Sequence, residues 1–273
     1  MESYKTNAGL AGWMASIIFV ALSVWWIFIA FFLGSKDLSA NLLWAASYQL
    51  MALFGAICGL IVSRSWGGSK SAVGKAILFF SGGLLLQVFG QSVFSFYNLF
   101  LRVEVPYPSI ADVGFFFSIP LYAYGAFLLG KMSGAHLSLK SLRKKIEAFI
   151  IPFLVLVASY MVFLRGYQFD WSRPLTILLD FGYPLGQATY VSLALLVFLL
   201  SKNFLGGLMR PKILLILLAL VAQYVADYNF LYQASNQTWI NGGYGDYIYL
   251  FAYFIMAMAL VNLGSVFEKI KNT

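Results

Sequence analysis

The 273-residue chain has few charged side chains. Asp, Glu, Lys and Arg together make up 10% of it, whereas a soluble domain carries about 25%. Hydrophobic residues make up 61%. This balance excludes an ordinary soluble domain and predicts an all-α polytopic membrane protein in contact with the lipid bilayer. We expect the net charge of +8 to come from basic cytoplasmic loops, not from nucleic-acid binding.

Cysteine and histidine are nearly absent, with one residue of each. Cys58 lies alone in an apolar run, so a disulfide framework is excluded. His136 lies in a loop, which argues against a haem with two histidine ligands and against a histidine-rich zinc site. The last apolar segment has no lysine before Lys269, so a retinal Schiff base there has no attachment point. The sequence identifies no other cofactor and no metal.

Motifs of catalysis are also missing. The chain contains no G-x-S-x-G, no H-E-x-x-H and no Walker loop. Intramembrane aspartates that act as a pair are the one remaining route to acid–base hydrolysis, and they depend on geometry that a sequence does not give.

Long apolar segments divide the chain, a single domain over 1–273, into membrane spans. A helix needs about 20 apolar residues to cross a bilayer. The first segment is too long for the core of a signal peptide, so we expect it to be retained. The eight predicted spans are 9–33, 39–63, 72–101, 108–130, 146–165, 174–200, 207–232 and 246–267.

Basic residues are distributed unevenly between the segments that connect these spans. The two termini and the loops after spans two, four and six hold 14 of the 18 Lys and Arg residues. Because cytoplasmic loops carry an excess of Lys and Arg, both termini are predicted to be cytoplasmic, in the cell's inner or plasma membrane. The sequence PYPSIAD at 106–112 should then face outside.

Two pairs of spans resemble each other. The third and fourth spans match the seventh and eighth, and both hairpins run in the same direction across the membrane. This pattern predicts a parallel internal repeat of helical hairpins. Shifts of 136 and 134 residues align Gln87 with Gln223, Gln91 with Asp227, and Asp112 with Asp246.

Four acidic residues lie within the spans or at their ends, all in the predicted outer half of the membrane. An uncompensated charge in lipid costs several kcal/mol. No Lys or Arg lies opposite these acids within the spans, so the sequence predicts an outward-opening polar pocket with aromatic walls, able to hold an amine, a metal ion or a proton. The candidate ligand-binding residues are Gln87, Gln91, Tyr97, Asp112, Asp180, Tyr183, Gln187, Gln223, Asp227 and Asp246.

Helix capping is an alternative role for two of these acids. Asp112 ends the run Pro-Ser-x-Ala-Asp, which suits a helix start, and Asp246 follows a glycine-rich turn. Asp180 and Asp227 lie deeper in their spans. For these two, a functional role or a polar network is favoured, because intramembrane acids usually face the protein interior.

Three motifs in order resemble a known membrane region. They are PYPSIAD followed by an aromatic, proline-kinked helix within 91–130; Tyr-Pro-Leu-Gly-Gln at 183–187; and Ala-Asp at 226–227, followed by a glycine-rich turn and Asp246. Over about 72–267 the chain resembles the multi-helix N-terminal membrane region that precedes bacterial diguanylate cyclases, phosphodiesterases and histidine kinases. Gln187 stands where that region has an acid.

The resemblance implies a membrane-embedded sensory input domain. The sequence to Thr273 contains no output domain. We therefore expect that the chain signals through a cytoplasmic partner, that the fold serves another use, or that the sequence is a piece of a longer protein. Three functions follow as hypotheses: a receptor-like sensor of a small or lipophilic ligand, an ion-coupled transporter, and an intramembrane Asp-dependent lipid hydrolase.

Overall fold

The computed structural model describes residues 8–33, 38–132, 142–201 and 210–271, and this part of the chain is helical without any strand. His136 and most of the basic loop 131–147 lie outside the described residues. The last turns of α1, α4 and α6 widen into π-helix. The helices are α1 (Ala8–Phe28, continued by Ile29–Leu33), α2 (Leu38–Ser47), α3 (Gln49–Ser65), α4 (Ala72–Phe96, continued by Tyr97–Leu101), α5 (Ile110–Met132), α6 (Leu142–Ser159, continued by Tyr160–Leu164), α7 (Pro174–Ser201), α8 (Arg210–Ser235) and α9 (Tyr244–Lys271).

Seven helices of the described chain are long and apolar enough to cross a membrane. One of them combines α2 and α3, which meet at Tyr48. The prediction of a multi-pass, all-α membrane protein is therefore confirmed. The predicted span 146–165 lies on α6, where Ala148–Leu164 is a shorter apolar helix among the described residues. The eighth crossing stays a prediction. The seven helices are Ala8–Leu33, Ser39–Ser65, Ala72–Leu101, Ile110–Met132, Pro174–Leu200, Arg210–Ser235 and Tyr244–Glu268.

Six helices form a closed ring. Each of α3, α4, α5, α7, α8 and α9 packs against the next, and α9 packs back against α3. Outside the ring, α1 lies mainly against α9, and α6 lies against α7. The outer position of α1 explains why most of its apolar side chains, such as Trp13, are exposed.

Small residues bring α4 and α5 into close contact. A Cβ atom on Gly114 would lie 2.4 Å from the backbone oxygen of Leu86 and 2.6 Å from the backbone nitrogen of Gly90. On the same pair of helices, a Cβ atom on Gly125 would lie 2.6 Å from the ring of Phe80. Such close approach of backbones is typical of helix pairs in membranes, where van der Waals packing replaces the hydrophobic effect.

Candidate functional site

Asp227 of α8 lies inside the helix ring, where 6% of its surface is exposed. Its Oδ2 atom accepts a hydrogen bond of 2.8 Å from the Tyr190 hydroxyl of α7. Its Oδ1 atom accepts bonds of 2.9 Å from the Tyr249 hydroxyl of α9 and from Nε2 of Gln223. The i,i+4 spacing of Gln223 and Asp227 thus places both on one helix face, as the sequence indicates. All three donors are neutral.

Gln87 forms a second polar contact between the ring helices. Its Nε2 atom donates to the Ser118 hydroxyl of α5 at 2.8 Å. Its Oε1 atom accepts from the Tyr253 hydroxyl of α9 at 3.1 Å. Since Tyr253 lies one helical turn beyond Tyr249, α9 connects the Gln87 contact on α4 and α5 with the Asp227 contact on α7 and α8.

Gln91 has a backbone partner. Its Nε2 atom donates to the carbonyl oxygen of Ala45 at 3.1 Å. That carbonyl lies in the last turn of α2, just before the helix is interrupted at Tyr48. A carbonyl group in the last turn of a helix has no N–H partner within that helix and needs one from elsewhere. The predicted candidate Gln91 therefore stabilises the α2–α3 junction.

Asp112 caps α5. Its Oδ2 atom accepts from the backbone N–H of Ser109 at 2.7 Å, while the Ser109 hydroxyl accepts from the backbone N–H of Ala111 at 3.2 Å. This reciprocal arrangement is a capping box. The Oδ1 atom of Asp112 also accepts from the Tyr183 hydroxyl of α7 at 2.7 Å. Capping is thus confirmed for Asp112, and the same carboxylate connects α5 with α7.

Asp246 has a similar position at the start of α9. Its Oδ2 atom accepts from the backbone N–H of Gly242 at 2.6 Å, and the hydroxyl of Tyr48 lies close enough to interact with the carboxylate. Gly242 has a φ of +74°, and a Cβ atom there would lie 2.5 Å from the backbone oxygen of Asn41. The turn that presents its N–H to Asp246 therefore requires glycine.

Asp180 is half-buried on the second turn of α7. Its two oxygens accept hydrogen bonds of 2.7 Å each from the hydroxyls of Tyr107 and Tyr167. The nearby Arg173 pairs instead with Asp170, at 3.3 Å on the exposed surface. Asp180 is therefore held by phenol groups.

Two other predicted site residues, Tyr97 and Gln187, make no side-chain hydrogen bond to any of the four acids. The hydroxyl of Tyr97, at the end of α4, makes no hydrogen bond with a described residue, and the structure does not bring it to an acid. Gln187 is 5% exposed, and its Oε1 atom has no hydrogen-bond partner among the described residues.

An apolar groove of about 600 Å³ lies along another face of α7. At 100° per residue, Asp180, Tyr183, Gln187 and Tyr190 share one face of α7, and the centre of the groove lies on the opposite face. The acids and the groove are therefore separate features. The groove is lined by Phe169, Ile177, Leu178, Phe181, Gly182, Leu185, Gly186 and Thr189.

Tyrosine is the common partner of the four acids. Of the tyrosines that contact them, the sequence prediction named only Tyr183. For the missed tyrosines within helices or at a helix junction, the signal is their depth, because membrane tyrosines usually lie in belts at the interfaces. Tyr107 and Tyr167 lie in loops, and depth does not identify them. Within the described residues, no three His, Cys, Asp or Glu side chains are close enough to hold a metal ion. The tyrosines that the prediction missed are Tyr48, Tyr107, Tyr167, Tyr190 and Tyr249.

The hydrogen bond to Asp180 changes the acidity of Tyr167, which lies in the loop before α7. Together with a smaller effect of desolvation, it raises the pKa of Tyr167 from 10.0 to about 12. The bond is therefore fully formed below pH 10 and is lost as the pH rises through about 12.

We predict that Asp180→Asn returns the pKa of Tyr167 toward 10. A difference titration of tyrosine absorbance, with Tyr167→Phe to isolate the signal, measures it; an unchanged pKa would contradict the contact.

Comparisons with protein-family models, with curated proteins and with solved structures each gave no match to this chain.

Proposed function

We propose that the chain is a membrane-embedded, receptor-like sensor. It binds a small or lipophilic ligand in the polar interior of the helix ring and signals through a cytoplasmic partner. The observation that carries this proposal is the Asp227 contact, in which one buried carboxylate is held by neutral donors from its own helix and two others. A ligand that competes for these donors changes how three helices pack.

The outer end of the ring offers the polar entrance to this interior. Asp112 and Tyr183 form one contact there, and Asp180 with Tyr107 and Tyr167 forms the next. Both acids are reached through phenol hydroxyls, which exchange partners more easily than an ion pair. A ligand with a hydrogen-bonding head group and an apolar body suits this combination of polar and aromatic side chains.

Helix α9 transmits a change in packing from the Asp227 contact to the other end of the bundle. Its tyrosines bond Asp227 and Gln87, and the helix continues to Lys271. Near that end, Leu263 accepts a hydrogen bond of 3.1 Å from the Trp66 side chain, which follows α3. A shift of α9 at the polar contacts therefore reaches the opposite end of the bundle.

This function needs eight membrane crossings, with both termini in the cytoplasm. The membrane is the inner or plasma membrane of the cell. The eighth crossing is α6. Its apolar side chains are exposed, including Phe149 at 72% and Leu154 at 58%, which favours contact with lipid. The charge asymmetry of the loops supports the orientation.

A parallel repeat of hairpins completes the proposed architecture. It is supported by the matched positions of Asp112 and Asp246, since each accepts a backbone N–H from the turn before its helix. It is also supported by the aligned pair Gln87 and Gln223, since both are buried and donate to a polar side chain in the ring.

Ligand binding can be tested without knowing the ligand. A density map of the protein in lipid nanodiscs is read for non-protein density between the outer halves of α5, α7, α8 and α9, and small molecules released by solvent extraction are measured by mass spectrometry. We expect density beside Asp227 or Asp180 and a molecule that is enriched over an Asp227→Asn preparation. Tightly packed side chains without density, and no enriched molecule, would refute the proposal.

An ion-coupled transporter is the second candidate. It is favoured by the buried Asp227, whose three hydrogen-bond donors carry no charge, because such acids often mark ion pathways in membranes. Uptake into proteoliposomes driven by a proton or sodium gradient tests it. The hydrolase hypothesis has less support, since no two of the four acids share a hydrogen-bond donor among the described residues.

A further inference from the structure

Two buried oxygen atoms near Asp227 have no hydrogen-bond partner among the described residues. They are Oη of Tyr122 on α5 and Oε1 of Gln187 on α7. Tyr122 is 1% exposed and Gln187 is 5% exposed. Buried polar atoms are almost always paired in native proteins, so two such atoms near one acid require an explanation.

Tyr122 is held firmly in its place. A Cβ atom on Gly83 would lie 2.3 Å from its ring, so the ring packs directly on the backbone of α4. Its ring also meets that of Tyr190 edge to face, with centroids 6.0 Å apart. Tyr190 is itself bonded to Asp227. The unpaired hydroxyl therefore belongs to a residue that packs directly on the Tyr190 partner of Asp227.

Gln187 lies at the same level as Asp227. Tyr183 and Tyr190 lie about one turn before and after it, on the same face of α7. The Tyr228 hydroxyl of α8 bonds the carbonyl oxygen of Pro184 at 3.1 Å, which brings the two helices together at this level. Gln187 thus lies on the face of α7 from which Tyr190 reaches Asp227.

The carboxylate has room for one more partner. A carboxylate accepts about four hydrogen bonds, and Asp227 receives two at Oδ1 and one at Oδ2. A charged carboxylate in a membrane interior is stabilised by a cation, and the donors of Asp227 supply none. The open side of Oδ2 and the two unpaired oxygens belong to three different helices.

We propose that Asp227 Oδ2, Tyr122 Oη and Gln187 Oε1 bind one Na⁺ ion. All three are oxygen ligands, which hard cations prefer. One carboxylate balances a single positive charge, so the site suits a monovalent ion and not Ca²⁺ or Mg²⁺. The inference rests on the interior site of the proposed function and adds an ion that binds there. The ion draws α5, α7 and α8 together, so it regulates the same polar contacts that a ligand would use.

The test measures the melting temperature of the purified protein while NaCl replaces choline chloride at constant ionic strength and pH. We expect the melting temperature of the wild type to rise with Na⁺ until the site is saturated. In Tyr122→Phe and Gln187→Leu the apparent Na⁺ affinity should fall by about tenfold or more. Because Tyr122→Phe removes only an unpaired hydroxyl, the variant is expected to fold.

Tyr253→Phe is the matched control. Its hydroxyl bonds Gln87 and not Asp227, so the variant should melt at a lower temperature and keep the Na⁺ response. A wild-type response that is absent, or that is equal in Tyr122→Phe, would overturn the proposal. So would a response to pH alone, which would make the proton the ligand of Asp227. Loss of the Na⁺ response leaves the extraction and density experiments unaffected, so the two proposals can fail separately.

Discussion

Asp227→Ala is expected to lower the free energy of unfolding by about 3 kcal/mol or more, because each buried donor left without an acceptor costs about 1–3 kcal/mol. The substitution leaves three such donors: the hydroxyls of Tyr190 and Tyr249, and Nε2 of Gln223. Water cannot replace the carboxylate easily inside a membrane protein. Unfolding in a detergent titration with SDS measures the loss.

A double-mutant cycle separates this effect from simple loss of packing. Tyr249→Phe should destabilise the wild type, since it removes a bond to Asp227. In the Asp227→Ala background the same change should be neutral or stabilising, because the hydroxyl is then unpaired. An equal cost of Tyr249→Phe in both backgrounds would show that the hydroxyl and the carboxylate do not interact.

Gly114→Ala is the second substitution with a large expected effect. The new methyl group would lie 2.4 Å and 2.6 Å from two backbone atoms of α4, so the two helices must separate. We expect a loss of about 1–3 kcal/mol, the usual cost of overpacking, despite the better helix propensity of alanine. Backbone atoms have no rotamer by which they could move away.

Gly82→Ala is the matched control at the same pair of helices. A Cβ atom there would lie 3.2 Å from a methyl group of Leu121, which can move aside. Its stability should therefore stay equal to the wild type or rise by up to about 1 kcal/mol, the propensity difference between alanine and glycine. Equal stability of Gly114→Ala and Gly82→Ala would contradict the close contact of α4 and α5.

The helix starts could be predicted because their signals are local. Ser109 and Asp112 are three residues apart, and that spacing alone brings the carboxylate to the N–H of the capping residue. The pairing of Gln223 with Asp227 follows equally from their spacing on one helix. In such cases the backbone geometry of one helix fixes the contact.

The long-range partners of the acids could not be predicted in this way. Tyr190 and Tyr249 reach Asp227 from two other helices, and their contact depends on the order of the helices in the ring. A span that is apolar on every side gives no hydrophobic face from which that order could be read. For the same reason the sequence placed Gln91 in a pocket, although its side chain bonds the backbone of Ala45.

The number of crossings shows a similar limit. The predicted span 146–165 corresponds to α6, whose first turn carries Arg143, Lys144 and Lys145. Among the described residues, Ala148–Leu164 is a shorter apolar helix than the seven others. Seven of the eight predicted spans correspond to helices long and apolar enough to cross a membrane, and the crossing by α6 stays a proposal, supported by its exposed apolar side chains.

A change at Asp227 is expected to reach the far end of α9. The direct measurement is the distance between spin labels on Lys131→Cys and Glu268→Cys, at the ends of α5 and α9, with the native Cys58 replaced by serine. We expect Asp227→Asn to shift this distance distribution. Asp170→Asn, which alters only exposed contacts with Ser172 and Arg173, should leave it unchanged. Identical distributions for Asp227→Asn and the wild type would contradict the claim.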